Sequence, residues 1–227
     1  MLKRIFTSAL VAGVVAGLFA SLAQSQRLVP MLMQAERYEM GTLSMHDHGG
    51  GEMHDHGATP HAGVERTALT VLANIIIASG FGLLLVAGFA LRGGTMDWRL
   101  GALWGLAGYA AFSLAPAVGL PPEVPGTMRA DLFDRQAWWL LTATATAGGL
   151  ALIAFAHRVP IRAVGVALLA LPHIYGAPHP VESGGVVPAE LASDFAFGAL
   201  VIAGLFWLLL GSAAGYLYGR MGDGDRG

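Results

Sequence analysis

The chain lacks cysteine altogether, and Lys3 is its only lysine. Without cysteine there can be no disulfide, thiolate nucleophile, iron–sulfur cluster or cysteine-bound zinc. A single lysine at position 3 cannot supply the phosphate-binding lysine of a P-loop or a kinase, nor a Schiff-base mechanism. We therefore expect that the chain does not hydrolyse ATP by itself and that it is not an enzyme.

Charged residues are scarce, at 12% of the 227 residues, against about 25% in typical soluble domains. Hydrophobic residues make up 55% of the chain, and the mean hydropathy is +0.59. A soluble fold of this size needs more charge to cover its surface, so the composition indicates an integral membrane protein. The net charge of −2 provides no basic surface, and we do not expect nucleic acid as a partner.

Apolar segments define the predicted fold. A helix needs about 20 apolar residues to cross a hydrocarbon core of about 30 Å. Five segments of that length contain no charged residue: 5–26, 67–91, 100–120, 136–156 and 195–219. A sixth, 163–181, contains Pro172, Pro178 and Pro180, so we expect its helix to end near Tyr175.

The prediction is an all-α polytopic membrane protein, with residues 1–227 forming a single membrane domain of about six transmembrane helices. The number falls to five if the first segment is a cleaved signal peptide or if the fifth segment does not cross. Residues 21–23 resemble a cleavage site, but apolar residues resume at 28–33, which favours a retained first helix.

Basic residues predict the orientation. With six spans, eight of the 13 lysine and arginine residues lie on one side, which the positive-inside rule makes the cytoplasm. The last outer loop, 176–194, contains no lysine or arginine. We therefore expect an inner-membrane protein whose N-terminus and C-terminus are both cytoplasmic.

Glycines recur at four-residue spacing in three of the predicted spans. Such spacing predicts faces on which helix backbones approach closely, although glycine is common in membrane helices in general. The glycines are Gly13 and Gly17, Gly101 and Gly105, and Gly211, Gly215 and Gly219.

The only long polar stretch, residues 34–66, is expected to be a flexible histidine-rich outer loop between spans one and two. It contains an exact repeat of Met-His-Asp-His-Gly, at 45–49 and 53–57. Neutral imidazole is a good ligand for transition metals, and aspartate can bind the ion or orient a ring. The candidate metal ligands are His46, Asp47, His48, His54, Asp55, His56 and His61. The alternative is a solvated spacer without a ligand.

Other polar side chains lie in or near the predicted spans, toward the outer side. Ionisable or strongly polar groups at membrane depth are candidates for function. We predict that Asn74 lines the passage and that Glu123, His173, His179 and Glu190 serve metal entry. Each has a simpler explanation: Asn74 can bond between helices, and Glu190 can cap a helix.

A set of short motifs spread over nearly the whole chain resembles the CbtA family of predicted cobalt transporter subunits. The resemblance rests on the combination of motifs, because no single one is specific. They include Glu65-Arg66-Thr67, Leu-Trp-Gly-Leu-Ala-Gly at 103–108, Leu-Pro-Pro-Glu at 120–123, Arg-Gln-Ala-Trp-Trp at 135–139, Leu-Pro-His at 171–173 and Val-Pro-Ala-Glu-Leu at 187–191. The resemblance implies cobalt uptake linked to cobalamin synthesis, together with a small histidine-bearing membrane subunit as partner.

The predicted function is uptake of a divalent transition metal by a membrane subunit that captures the ion with its outer loop. Cobalt is the first candidate, and nickel, zinc and copper remain alternatives. No cofactor is expected to stay bound, since the metal is cargo. The expected partners are the lipid bilayer and the small subunit, with a homo-oligomer also open. A membrane metal sensor or store that does not transport is the alternative function.

Overall fold

A computed structural model describes residues 1–46, 60–180 and 184–223. Within these residues the structure is helical, and its only β contact is an isolated bridge between Thr127 and Gly185. The helices are α1 (Leu2–His46), α2 (Pro60–Arg92), α3 (Trp98–Tyr109), a π-helical turn (Ala110–Leu114), α4 (Ala115–Gly119), α5 (Leu132–Phe155), α6 (Val159–Tyr175) and α7 (Ala189–Asp223).

Five helical segments in the described part are long and apolar enough to cross a membrane. They are Leu2–Gly41, Glu65–Arg92, Trp98–Gly119, Leu132–Phe155 and Ala189–Gly222. Helix α6 is apolar but shorter, with 17 residues and a length of about 25 Å. The prediction of an all-α polytopic membrane protein is confirmed, as is the end of α6 at Tyr175.

The bundle has two ends, which we call the terminal face and the loop face. The terminal face holds the first turns of α1, the end of α7 and residues 93–97 and 156–158; the loop face holds residues 120–131, 176–180 and 184–188. At the terminal face the Arg4 Nε donates to the Tyr218 carbonyl oxygen at 2.6 Å, so both ends of the described chain meet there.

Helix α6 returns the chain from the terminal face to the loop face. Beyond its end, Ala177 lies beside Gly119, where an added Cβ would be 2.7 Å from the Ala177 Cβ. Within the described residues, the chain therefore runs along the bundle six times, and α6 is the fifth and shortest pass. Which side of the membrane the terminal face occupies stays a prediction.

Glycine pairs bring the core helices into backbone contact. A Cβ added at Gly17 of α1 would lie 2.7 Å from the Ile75 Cα of α2. A Cβ added at Gly215 of α7 would lie 2.7 Å from the Gly101 Cα of α3. Of the remaining glycines of the predicted spacing, Gly13, Gly105 and Gly211 also face a neighbouring helix, and Gly219 faces the backbone of Met96 just before α3. The predicted packing faces are thus confirmed.

Helix α1 is an integral part of this core. Its Ala9, Ala12 and Ala16 are fully buried and belong to the same apolar cluster as Phe89 of α2 and Leu210 of α7. Removal of the first span would expose this cluster. Whether the first span is retained or cleaved stays a prediction.

The boundaries predicted for the histidine-rich loop are wrong. Helix α1 runs on to His46 and α2 begins at Pro60, so the helices take up much of residues 34–66. The reason is local: residues 31–40 are rich in methionine, alanine, glutamate and other helix formers, and a helix outside the bilayer needs no apolar run. Residues 47–59 lie outside the described part of the chain.

Candidate functional site

A carboxylate and two guanidinium groups form a cluster on the loop face. Glu123 Oε2 lies 3.1 Å from Arg129 Nε and 2.9 Å from Arg135 Nη2. Arg129 also donates to the Val124 carbonyl oxygen at 3.0 Å. The cluster is only partly exposed, and two cations around one anion leave it with a net positive charge. Glu123 is therefore occupied by its neighbours rather than open to a metal ion.

A cavity of ≈560 Å³ opens next to this cluster, and we call it the mouth cavity. Glu123, Arg135 and Gln136 line it at the loop face, and Phe112 and Ser113 line it deeper in the bundle. Its position is set by the start of α5, where the Asp131 carboxylate caps the helix by accepting from the Phe133 N–H at 2.8 Å.

The deep wall of the mouth cavity is the π-helical turn Ala110–Leu114. Pro116 follows this turn. Because proline has no N–H, it cannot donate to a carbonyl oxygen of the preceding turn, and the regular helix is loosened there. The turn brings the Ser113 hydroxyl to the Trp207 indole, whose Nε1 donates to Ser113 Oγ at 3.1 Å. Single π-helical turns occur often at functional sites.

A second cavity of ≈240 Å³ lies on the other side of Ser113, and we call it the amide cavity. Asn74 and Gln24 line it, and Asn74 Nδ2 donates to Gln24 Oε1 at 2.9 Å and to Ser21 Oγ at 3.0 Å. These contacts join α2 to α1 within the membrane. The residues lining both cavities are Phe112, Ser113, Ala199 and Ala203.

Below the cavities, aromatic rings close the bundle. Phe112 stacks on Trp207 with ring centroids 5.7 Å apart, and Phe81 lies 4.7 Å from the same indole. We call Phe81, Phe112 and Trp207 the aromatic layer. Toward the terminal face, the fully buried Phe89 and Leu210 follow. Within the described residues, the cavities that Glu123 and Asn74 line thus lie on the loop-face side of the aromatic layer.

The histidines predicted as ligands do not converge in the described part of the chain. His173 is exposed on α6 with its ring at the edge of Trp138, centroids 6.2 Å apart, and His179 is exposed in the segment that follows. Glu190 is exposed in the first turn of α7. Within the described residues, no three histidine, aspartate or glutamate side chains are grouped to hold a metal ion.

Only the two ends of the histidine-rich segment belong to the described residues. His46 is the last residue of α1, and His61 lies in the first turn of α2. The other predicted ligands, Asp47, His48, His54, Asp55 and His56, lie outside the described residues. The described part of α1 runs past the loop face, where Leu28 and Ala35 pack with Val124.

Sequence reasoning identified Asn74 but not its partners. Ser21 and Gln24 stand at i and i+3 in an apolar segment, a spacing that places two polar groups on one helix face. Ser113 stands three residues before Pro116 within a predicted span. A proline inside a span indicates a loosened helical turn just before it, and this could have drawn attention to Ser113. These residues were missed because each was considered within its own segment.

The long apolar helices, with two cavities between them that carry a few polar side chains, define a polytopic membrane protein. The chain belongs to the CbtA family, described as "Probable cobalt transporter subunit (CbtA)", whose model matches residues 2–219. No curated protein and no solved structure matches the chain at a significant level.

Proposed function

We propose that this chain is the membrane-embedded subunit through which a divalent transition metal, with cobalt as first candidate, passes from the loop face toward the terminal face. Family membership supports a role in cobalt transport and, with it, a non-enzymatic function. The observation that carries the proposed route is the pair of cavities sharing Ser113, which leads from Glu123 to Asn74.

Capture outside the bundle falls to the histidine repeat. Five histidines between His46 and His61 offer imidazole nitrogens, which suit cobalt, nickel, copper and zinc alike. The helix that leads into this segment, α1, passes the loop face, where its Leu28 and Ala35 pack with Val124. Its role is to raise the local metal concentration, and its deletion should weaken uptake at low metal while leaving the maximum rate largely intact.

Entry requires the Glu123 cluster to open, because a dication is repelled by two arginines around one carboxylate. Arg129 is the more exposed partner, at 43% of its side chain against 24% for Arg135. Arg129 can therefore swing into solvent at lower cost than Arg135. Both arginines contact Oε2, so the departure of Arg129 leaves Glu123 with one counter-charge and weakens the repulsion of an ion in the mouth cavity.

Passage in the membrane uses neutral oxygen ligands. The amide oxygens of Asn74 and Gln24 and the hydroxyls of Ser113 and Ser21 can replace part of the ion's hydration shell without a fixed charge. An ion is conducted only where its binding is weak enough to let it leave, and amide oxygens bind transition metals less tightly than imidazole. His173, His179 and Glu190 do not line this route.

Transport to the other side requires the aromatic layer to move, since it closes the bundle below Asn74. A membrane potential of 100 mV supplies about 4.6 kcal/mol for a divalent ion, roughly a thousandfold in concentration. The remaining requirement is a partner, and we propose a small histidine-bearing membrane subunit in that role.

The test is radioactive cobalt uptake by vesicles that contain the full chain with its partner subunit. Asn74→Leu removes the amide, and Thr70→Val is the matched control because Thr70 is exposed on the same helix and bonds only its own backbone. We expect Asn74→Leu to reduce the maximum rate at least tenfold and Thr70→Val to leave it unchanged. Melting temperatures of both variants show whether they are folded.

Two results would overturn the proposal. One is cobalt uptake at the wild-type maximum rate by a folded Asn74→Leu variant, which would mean that the route lies elsewhere. The other is saturable cobalt binding by the wild-type protein without time-dependent accumulation inside the vesicles, which is the behaviour of a metal sensor or store.

A further inference from the structure

An apolar groove of ≈470 Å³ lies on the side of the bundle, in the half near the terminal face. Its floor is α3, and its walls are α2 and α5, which diverge here because the α5–α6 hairpin touches the core mainly near the loop face. Leu84, Leu103, Trp104, Ala151 and Phe155 line it. The groove takes no part in the route proposed above.

The groove is bounded at both ends. Toward the membrane centre it ends at Phe112 of the aromatic layer. Toward the terminal face Trp104 of α3 and Phe155 of α5 approach each other, with ring centroids 6.1 Å apart. Its large side chains remain open to the surroundings, with Leu84 59% and Leu103 62% exposed. Water at this depth would face apolar walls, so the groove favours an apolar occupant.

One charged residue lines the groove, and it stands at the end where a headgroup would lie. Arg92 is the last residue of α2 and is exposed. Both of its hydrogen bonds in the described structure use Nη1, which donates to the carbonyl oxygens of Gly93 at 3.2 Å and Thr95 at 3.4 Å. Nε and Nη2 can therefore donate to another acceptor. Guanidinium groups bind phosphate oxygens well, and basic sites between transmembrane helices bind anionic headgroups.

We propose that this groove is a binding site for an anionic phospholipid, with an acyl chain between α2 and α5 and the phosphate at Arg92. The arginine at the end of the groove favours a phosphate-bearing lipid over the transmembrane helix of a partner, which would present apolar side chains there. A flexible acyl chain fits a narrow space of this volume.

The experiment is native mass spectrometry of the purified full chain titrated with phosphatidylglycerol or with phosphatidylcholine of the same acyl chains. Arg92→Gln removes the proposed phosphate ligand, and Arg99→Gln is its control because Arg99 is exposed on the same face and stacks on Trp98 instead. Ala151→Phe fills the groove, and Leu141→Phe is its control on a half-exposed site of the same helix outside the lining.

We expect the wild-type protein to prefer phosphatidylglycerol by about fivefold, the effect of one arginine near a membrane surface. Arg92→Gln should abolish the preference, and Ala151→Phe should lower the binding of both lipids at least fivefold, while both controls behave as wild type. The proposal is overturned if Arg92→Gln keeps the preference, if folded Ala151→Phe binds lipid normally, or if Ala151→Phe instead loses a co-purified membrane subunit.

Discussion

The two halves of the bundle are built from the same helices but packed in opposite ways. In the terminal half, α3 and α7 meet glycine against glycine, and Phe89, Val86 and Leu210 are fully buried. In the loop-face half, α3 gives way to a π-helical turn and cavities open on both sides of Ser113. Small residues close one half, and the departure from regular helix before Pro116 opens the other.

This difference assigns separate tasks to the two halves. Under the proposed function, the loop-face half supplies the polar groups that an ion meets at membrane depth, and the terminal half is the seal. A transporter needs such an asymmetry in any one of its states, because a path open to both sides would dissipate the gradient. The expected effects of substitutions are largest at the glycine contacts of the terminal half, smaller at Ser113 and at the Glu123 cluster, and smallest in α5.

The largest effect is expected where the seal is tightest. Gly215→Leu would place a side chain into the α3 backbone, since a Cβ alone would be 2.7 Å from the Gly101 Cα. We expect a loss of about 3 kcal/mol or more of stability, seen in the melting temperature of the detergent-purified protein. Gly148→Leu is the matched control, because nothing lies within 4 Å of a Cβ added there. Equal stability of the two variants would mean that α3 and α7 are not in backbone contact.

At the boundary between the halves, Ser113→Ala removes the acceptor of the Trp207 Nε1–H. An unsatisfied buried donor costs about 1–3 kcal/mol, and the thermal midpoint should fall accordingly. The cost should largely disappear in a Trp207→Phe background, where no donor remains. Ser25→Ala is the control, since that exposed hydroxyl bonds only the Leu22 carbonyl oxygen. Purely additive losses in the double variant would contradict the proposed bond.

In the mouth, Glu123→Gln should destabilise the protein by no more than about 1 kcal/mol, because the ion pairs are partly exposed. The loss should shrink at about 1 M salt, where the Debye length is about 3 Å. The exposed Glu65 on α2 provides the control variant Glu65→Gln. A loss of several kcal/mol that is independent of salt would mean that the cluster is a buried structural element rather than an opening mouth.

The smallest effect on stability is expected in α5, at Thr142. Thr142 on α5 is fully buried and its hydroxyl has no hydrogen-bond partner in the described structure, whereas Thr144 donates to the Leu140 carbonyl oxygen at 2.7 Å. Thr142→Val should therefore change the stability by less than about 1 kcal/mol, in either direction. A loss of more than about 1 kcal/mol, measured by thermal unfolding, would show that the Thr142 hydroxyl makes a hydrogen bond in the folded protein.

Features governed by local sequence could be predicted. The apolar runs, the end of α6 at Tyr175 and the glycine faces follow from length, proline and four-residue spacing. The continuation of α1 past Gln34 was missed because polar residues suggested a loop, although their helix propensity is high.

The site depended on long-range contacts and was predicted only in part. Asn74 was identified as a polar residue in a span, but its partner Gln24 stands 50 residues away. The pairing of Glu123 with Arg135 and of Ser113 with Trp207 likewise arises from the packing of α5 and α7. Composition shows that such groups exist, and only the fold shows which of them meet.

The most direct test of the central claim uses the absence of native cysteine. Ala203→Cys lies in the wall shared by both cavities, and Ala214→Cys lies fully buried in the terminal half of the same helix. A membrane-impermeant thiol reagent is applied to intact cells and to inverted vesicles. We predict that Ala203→Cys reacts from one side only and is protected by cobalt, while Ala214→Cys reacts from neither. An unreactive Ala203→Cys, or cobalt-independent labelling of it, would contradict a metal route through these cavities.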